Sequence, residues 1–235
     1  MNKLKNFRKR IVRYFAKSNN RRYIKYLRCL GVEIGEDVTF LSPKTTYLDT
    51  TRPSLLSIGT GTRINPYVTI LTHDAVSKIF RRIYNDWLPS SGMVRIGNNV
   101  YIAQHCTIMK GVTIGDNCII GYGSTVTKDI PNNSVAVGTP AKVICSIDEY
   151  YKKRQEKSLK EAFIYAQSIQ KRFHRRPIPS DFFEEFVFFI DKDNIDDYCN
   201  LPIRYQLGIA YKNWLKNHKA KFNSFDDFLK AAGID

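Results

Sequence analysis

Between Ile96 and Pro131 the chain repeats itself, IGNNVYIAQHCTIMKGVT being followed by IGDNCIIGYGSTVTKDIP at a period of eighteen. Within each block an aliphatic residue returns every sixth position: Ile96, Ile102, Ile108, Ile114, Ile120 and Val126. Smaller or β-branched residues follow four places on, at Val100, Cys106, Val112, Cys118, Ser124 and Ile130. Six is the period of neither a strand nor a helix. Short strands joined by turns account for it: three hexapeptides close one triangular coil, and every sixth side chain stacks inward. Glycine and asparagine stand where such turns need permissive backbone, as in Gly97-Asn98-Asn99 and Gly115-Asp116-Asn117. An earlier coil with the rungs Ile58, Ile64 and Ile70 keeps the phase, and a partial one begins around Ile34. Eighteen beyond Ile58 is position 76, yet the next coil opens at Ile96, so an inserted loop of twenty residues is expected at about 76–95.

After Ile144 the pattern turns helical. Ser146-Ile147-Asp148-Glu149 reads as a capping box opening a charged helix to about Phe173, ended before Pro177 and Pro179. Further helices are expected at about 180–190, 203–217 and 224–232, the last capped by Ser224 and ended by Gly233. The aromatic clusters there, Phe182 to Phe189 and Trp214 to Phe228, read as packing surface. Three regions follow: a basic helical segment at 1–30, a repeat domain at 31–145 and a helical region at 146–235.

Composition narrows the class. A chain of 235 residues with 43% hydrophobic content supports one sizeable core and an appendage. No run is long enough to cross a membrane, and the basic N-terminus leads into no signal-peptide core, so the expected location is cytoplasmic. Five cysteines without paired spacing indicate neither a disulfide framework nor a zinc site. The net charge of +15 is uneven: residues 1–32 hold eleven Lys and Arg and no acid. Phe7, Ile11, Tyr14 and Phe15 fall among these cations at helical spacing. That stretch reads either as a solvated helix or as one drawn to the anionic inner face of a membrane. No groove-reading or stacking motif points to nucleic acid.

The segments IGNNVYIA, GVTIGDNCIIGYGSTVTKDIP and VGTPAKVI resemble the hexapeptide-repeat acyltransferases, over roughly residues 31–145. Maltose and galactoside O-acetyltransferases and capsular or exopolysaccharide O-acetyltransferases are the members most similar. The resemblance implies a left-handed parallel β-helix, an exception to the right-handed crossover rule. It also implies transfer of acetyl from acetyl-CoA to a sugar hydroxyl, in a surface polysaccharide or a lipid-linked precursor, by a homotrimer with sites between subunits and no metal.

Such a transfer needs a base for the hydroxyl proton, and histidine is suited to that. The chain has four. His174 and His218 lie in basic helical runs, and His105 sits at a turn corner. His73 also sits at a corner, immediately before the inserted loop. It stands fifteen beyond Ile58, the coil position that recurs as Gly111 and Asp129, so a glycine that leaves room for a ligand is expected beside it. The resemblance gives His73 the general-base role. Asp74 is a candidate to orient the imidazole, Asp49 a candidate partner of the acceptor hydroxyl or of the histidine, and Trp87 a candidate acceptor contact on the loop. For acetyl-CoA the resemblance points to Gln104, Tyr122, Thr127, Lys128 and Lys142. Thr127-Lys128 matches the family pair, Lys142 replaces an arginine, and Gln104 and Tyr122 replace small residues. The alternatives are an N-acetyltransferase of an amino sugar, transfer to serine or a xenobiotic, and a non-catalytic scaffold. A carbonic anhydrase on the same helix needs three histidine ligands, and His73 and His105 alone argue against it.

Overall fold

In the computed structural model, which describes residues 10–235, each hexapeptide contributes a strand of two or three residues and then turns. The first coil carries β1 (Glu33–Ile34), β2 (Thr39–Phe40) and β3 (Tyr47–Leu48), and the second β4 (Leu56–Ile58), β5 (Arg63–Ile64) and β6 (Thr69–Ile70). The third holds β7 (Val94–Ile96), β8 (Tyr101–Ile102) and β9 (Thr107–Ile108), and the fourth β10 (Thr113–Ile114), β11 (Ile119–Ile120) and β12 (Thr125–Val126). Each strand pairs in parallel with its counterpart one coil on, which produces three faces: β1-β4-β7-β10, β2-β5-β8-β11 and β3-β6-β9-β12. β13 (Ser134–Val137) extends the second face, and β14 (Lys142–Ser146) pairs with it antiparallel. The prism is therefore a parallel β-helix, the architecture expected from the repeat.

Register explains why the period is strict. Ile34, Ile58, Ile96 and Ile114 are direct partners along one face, Phe40, Ile64, Ile102 and Ile120 along the second, and Leu48, Ile70, Ile108 and Val126 along the third. All twelve are buried in one cluster. A slip of one residue would turn each outward and forfeit about 1.5–3 kcal/mol per side chain. The corners are equally constrained. Asn99, Asn117 and Asn133 adopt left-handed backbone at φ 54°, 55° and 57°, and their amides form a ladder, Nδ2 to Oδ1, with both bonds at 2.9 Å. At Gly59 a β-carbon would fall 2.5 Å from the Gly97 carbonyl carbon, so glycine is what lets adjacent coils approach.

The first coil departs from eighteen. Ten residues separate Leu48 from Ile58, taken up partly by a 3₁₀ turn at Pro53–Leu55. Two of the extra positions fall between Phe40 and Leu48, and the rest begin at Asp49, directly after β3. Before this coil, helix Asn20–Leu30 is capped by the Asn19 side chain, which accepts from the Arg22 amide, and ends at Gly31 with φ 101°. Its Tyr23 and Leu27 join the same core, Tyr23 meeting Phe40 edge-on at 5.1 Å. Residues 10–16 are also helical; the expectation placed on Phe7 lies outside the described residues. Lys17 follows, its ammonium donating to the Thr46 carbonyl at 2.6 Å. Burial, with the Arg13 charge adding to it, pushes that ammonium's pKa down to about 8.

The chain divides into two compact units, one ending at Tyr151 and one starting at Lys152. Helix Ile147–Phe173 opens with the expected capping box: the Glu149 amide donates to Ser146 Oγ at 3.2 Å, and the Ser146 amide donates to Glu149 Oε2 at 2.8 Å. The second unit has an aromatic core in which Phe182, Phe189, Phe225 and Phe228 pack together, with Phe182 5.4 Å from Phe228. The helix expected at 180–190 is instead two 3₁₀ turns, Pro179–Asp181 and Glu185–Phe188. The one expected at 203–217 breaks at Gly208 (φ 50°) into Ile203–Leu207 and Tyr211–Asn217, with a short 3₁₀ turn between. The last helix, Phe225–Ala231, has the predicted Ser224 cap, which accepts from the Asp227 amide at 3.1 Å.

Candidate active site

Asp49 continues the ladder beyond β3, its amide donating to the Ile70 carbonyl at 2.9 Å, and its side chain points across to the chain leaving β6. The carboxylate is 1% exposed. It accepts from the Thr72 hydroxyl at 2.7 Å and the Thr72 amide at 3.2 Å on one oxygen, and from the Thr51 hydroxyl at 2.7 Å and the Thr51 amide at 3.1 Å on the other. The His73 imidazole completes the set through Nδ1. Burial pushes the Asp49 carboxyl up, but the bonds from Thr72, Thr51 and His73 outweigh it and hold the group well below the ordinary carboxylate range. Asp49 is thus an ionised acceptor with both oxygens engaged by protein donors. Of the two partners expected for Asp49, the acceptor hydroxyl or the histidine, the carboxylate meets the histidine.

That arrangement assigns the tautomer. An ionised carboxylate has no proton to give, so Nδ1 carries the hydrogen. The Thr51 hydroxyl, 3.2 Å from Nδ1, spends its own hydrogen on Asp49 and is likewise an acceptor there. Nε2 is left with its lone pair, on a side chain 29% exposed.

His73 stands in the neck of the inserted loop. The loop starts before the expected 76–95 and ends before it too, since β7 opens at Val94: the Gly92 amide donates to the Thr72 carbonyl at 3.0 Å, and the Asp74 amide to the Ser90 carbonyl at 3.2 Å. His73 and Ser91 form an antiparallel bridge between them. The spacing missed this because the two arms pair with each other and so carry no coil period. Asp74 departs from the expected contact with the imidazole. Its carboxylate takes the Lys110 ammonium, the Ser90 hydroxyl at 3.1 Å and the Val76 amide at 3.2 Å, and these hold it below its ordinary range, Lys110 foremost. It closes the loop's base and does not orient the imidazole.

Gly111 also differs in part from expectation. The backbone of Gly92 occupies one side of it: a β-carbon on Gly92 would lie 2.6 Å from the Gly111 nitrogen. Gly111 itself, at φ 78°, has open space on its own outer face, where a β-carbon would meet nothing within 4 Å. Beyond the neck the loop forms helix Ser77–Ile83, and Trp87 is exposed with the Arg81 guanidinium 5.9 Å from its ring.

The five residues expected at acetyl-CoA fall on two corners. Gln104 and Tyr122 are exposed at the corner after the second face, where the Gly123 amide donates to the Gln104 carbonyl at 3.0 Å. His105 is there too, at φ 60°, stacked on Tyr67 with centroids 4.7 Å apart and tilted against Tyr122 at 5.4 Å. Thr127 and Lys128 are exposed just past β12, on the corner that carries His73 and Lys110. Lys142 opens β14, exposed, next to Ala141, whose amide donates to the Thr125 carbonyl at 2.8 Å. Sequence reasoning missed Thr51, Thr72 and Lys110, which lie 20 and more residues from their partners or beside them without any motif.

A family model described as bacterial transferase hexapeptide (six repeats) matches residues 93–128, from the return of the loop to the end of the fourth coil. Protein CapG of Staphylococcus aureus is 41% identical over 124 residues, 53% of this chain and 71% of that protein. Galactoside O-acetyltransferase of Escherichia coli (strain K12) is 59% identical over 56 residues, a stretch covering 24% of this chain but 28% of that enzyme. A solved galactoside acetyltransferase in complex with coenzyme A is 30% identical across 62% of this chain and 82% of its own, with a TM-score of 0.45. The repeat, the coils it builds and a relative matched over most of its length agree: this chain belongs to the hexapeptide-repeat acyltransferases.

Proposed function

We propose that the protein transfers acetyl from acetyl-CoA to a hydroxyl of a sugar or oligosaccharide, with His73 as general base. The observation that carries this is the buried Asp49 carboxylate on His73 Nδ1, which leaves Nε2 as an oriented proton acceptor at an accessible corner. His73 Nε2 takes the proton of the acceptor hydroxyl as that oxygen attacks the thioester carbonyl. The same proton then passes from Nε2 to the departing thiolate sulfur, so the base is regenerated. Asp49 stays ionised and stabilises the imidazolium between the two transfers. A sugar acceptor is supported by the relative named galactoside O-acetyltransferase.

Acetyl-CoA fits the cations available. Lys128 and Lys142 present exposed ammonium groups for a phosphate-rich tail, with Thr127 beside the first. Gln104 and Tyr122 sit on another corner, which supports a homotrimer in which the corner of one subunit meets that of its neighbour. Trp87, exposed on the loop, is the acceptor contact proposed for such a site.

The test is an acceptor screen with acetyl-CoA, followed by thiol release and product mass. His73→Ala is expected to keep acetyl-CoA binding and lose transfer by about 10² to 10⁴-fold. A variant turning over at the wild-type rate sinks the assignment, and product formed from amines with none from hydroxyls replaces O-transfer by N-transfer.

A further inference from the structure

Residues 10–16 form a helical stretch whose large apolar side chains are not used by the fold. Ile11, Val12, Tyr14 and Phe15 are 40%, 55%, 73% and 61% exposed, whereas Ala16 is buried. Ile11, Tyr14 and Phe15 share one face by their spacing of three and four. The stretch is nevertheless rooted, since Lys17 donates to the Thr46 carbonyl at 2.6 Å and lies 5.4 Å over the Tyr23 ring. Arg10 on this stretch and Arg21, Arg22 and Lys25 on the helix that follows are exposed, and the sequence of residues 1–32 carries eleven cations without one acid.

This combination selects its occupant. A second copy meeting this face would set Arg10 and Arg13 against the same cations of its twin, a repulsive contact. A nucleic-acid backbone would suit the charge but has no use for aliphatic Ile11 and Val12. An anionic bilayer accepts both halves: headgroups meet the lysines and arginines, and the apolar face enters the acyl boundary with Tyr14 at the interface. We infer that residues 10–16, with the cations flanking them, are a docking surface for an anionic phospholipid membrane. The inference does not depend on the acyl-transfer reading.

The full chain is sedimented with vesicles of phosphatidylcholine alone and with vesicles holding about 30% phosphatidylglycerol. Binding is expected to the anionic vesicles, and to weaken as salt is raised. Tyr14→Ser with Phe15→Ser, and separately Arg10→Gln with Arg21→Gln, are each expected to lower the partition coefficient about tenfold or more. All four positions are exposed or half-exposed on the surface, so both variants should keep the wild-type melting temperature, and that is measured alongside. Equal binding to neutral and anionic vesicles, or by wild type and the Tyr14/Phe15 variant, overturns the inference. So does a wild-type oligomer that the Tyr14/Phe15 variant dissociates without any change in vesicle binding. Single-stranded oligonucleotide bound more tightly than vesicles, with the Tyr14/Phe15 variant unaffected, overturns it in favour of nucleic acid. None of these readouts uses acetyl transfer, so their failure is distinct from failure of the proposed activity.

Discussion

Two histidines stand at corners of the same β-helix, and their surroundings share almost nothing. His105 has left-handed backbone and is held by aromatic neighbours, Tyr67 and Tyr122, while its amide donates to the Pro66 carbonyl at 3.3 Å. No carboxylate approaches its ring among the described contacts. His73 has a buried carboxylate on Nδ1, two threonines that saturate that carboxylate, and a paired loop neck on either side. A corner alone therefore makes a turn residue. A corner with an ionised group one coil away and a rigid exit from the coil makes an imidazole with a defined tautomer.

Breaking the Asp49 contact should erase most of that difference. Asp49→Asn would present an amide donor to Nδ1, favouring the wrong tautomer, and kcat is expected to fall about 10² to 10³-fold with acetyl-CoA binding retained. The same variant carries a pH signature. A carboxyl whose folded pKa lies below its unfolded value of about 4 contributes its full stability above that value and loses it as pH falls through the folded pKa. Thermal melts should thus show the deficit of Asp49→Asn at neutral pH and a shrinking deficit below about pH 4. A deficit constant across that range would mean that the Asp49 charge is not what the fold uses.

A smaller effect is expected from the loop base. Lys110→Met removes the ammonium joining Asp74 and Ser90, loosens the neck and should lower kcat about tenfold while acetyl-CoA binding holds. Lys110→Arg should recover most of the loss. Lack of recovery, or a fall in acetyl-CoA affinity with kcat intact, would show that Lys110 does not act through the neck. The smallest effect belongs to the other corner. His105→Asn keeps a residue that tolerates left-handed backbone, and kcat should stay within about twofold of wild type. A loss comparable with that of His73→Ala would reverse the comparison.

How much of this was legible beforehand differs between the two units. The β-helix was readable because its core repeats: Ile96, Ile102 and Ile108 occupy equivalent places, so one observation is made many times over. The aromatic unit has no such redundancy. Phe182 and Phe186 were recognised as packing residues, but whether the chain between them is a helix or a pair of 3₁₀ turns depends on contacts with Phe225 and Phe228, some forty residues away. Inside the site the same divide holds. His73 was visible because it interrupts a period. Asp49 was visible as one of two acids near the histidine, and adjacency in sequence gave Asp74 an equal claim to it.

By itself, then, the sequence determined the period of the coils, the place where they are interrupted and the histidine at that place, since all three are local properties of a repeat. The tertiary structure decided which acid serves the histidine, because parallel stacking brings residues 24 positions apart into contact while turning adjacent side chains to opposite sides. It also decided that Asp74 and Lys110 tie the loop, 36 positions apart, and that Nε2 is the nitrogen left free. Those are consequences of which groups burial brings together, and of the requirement that a buried carboxylate be met by donors.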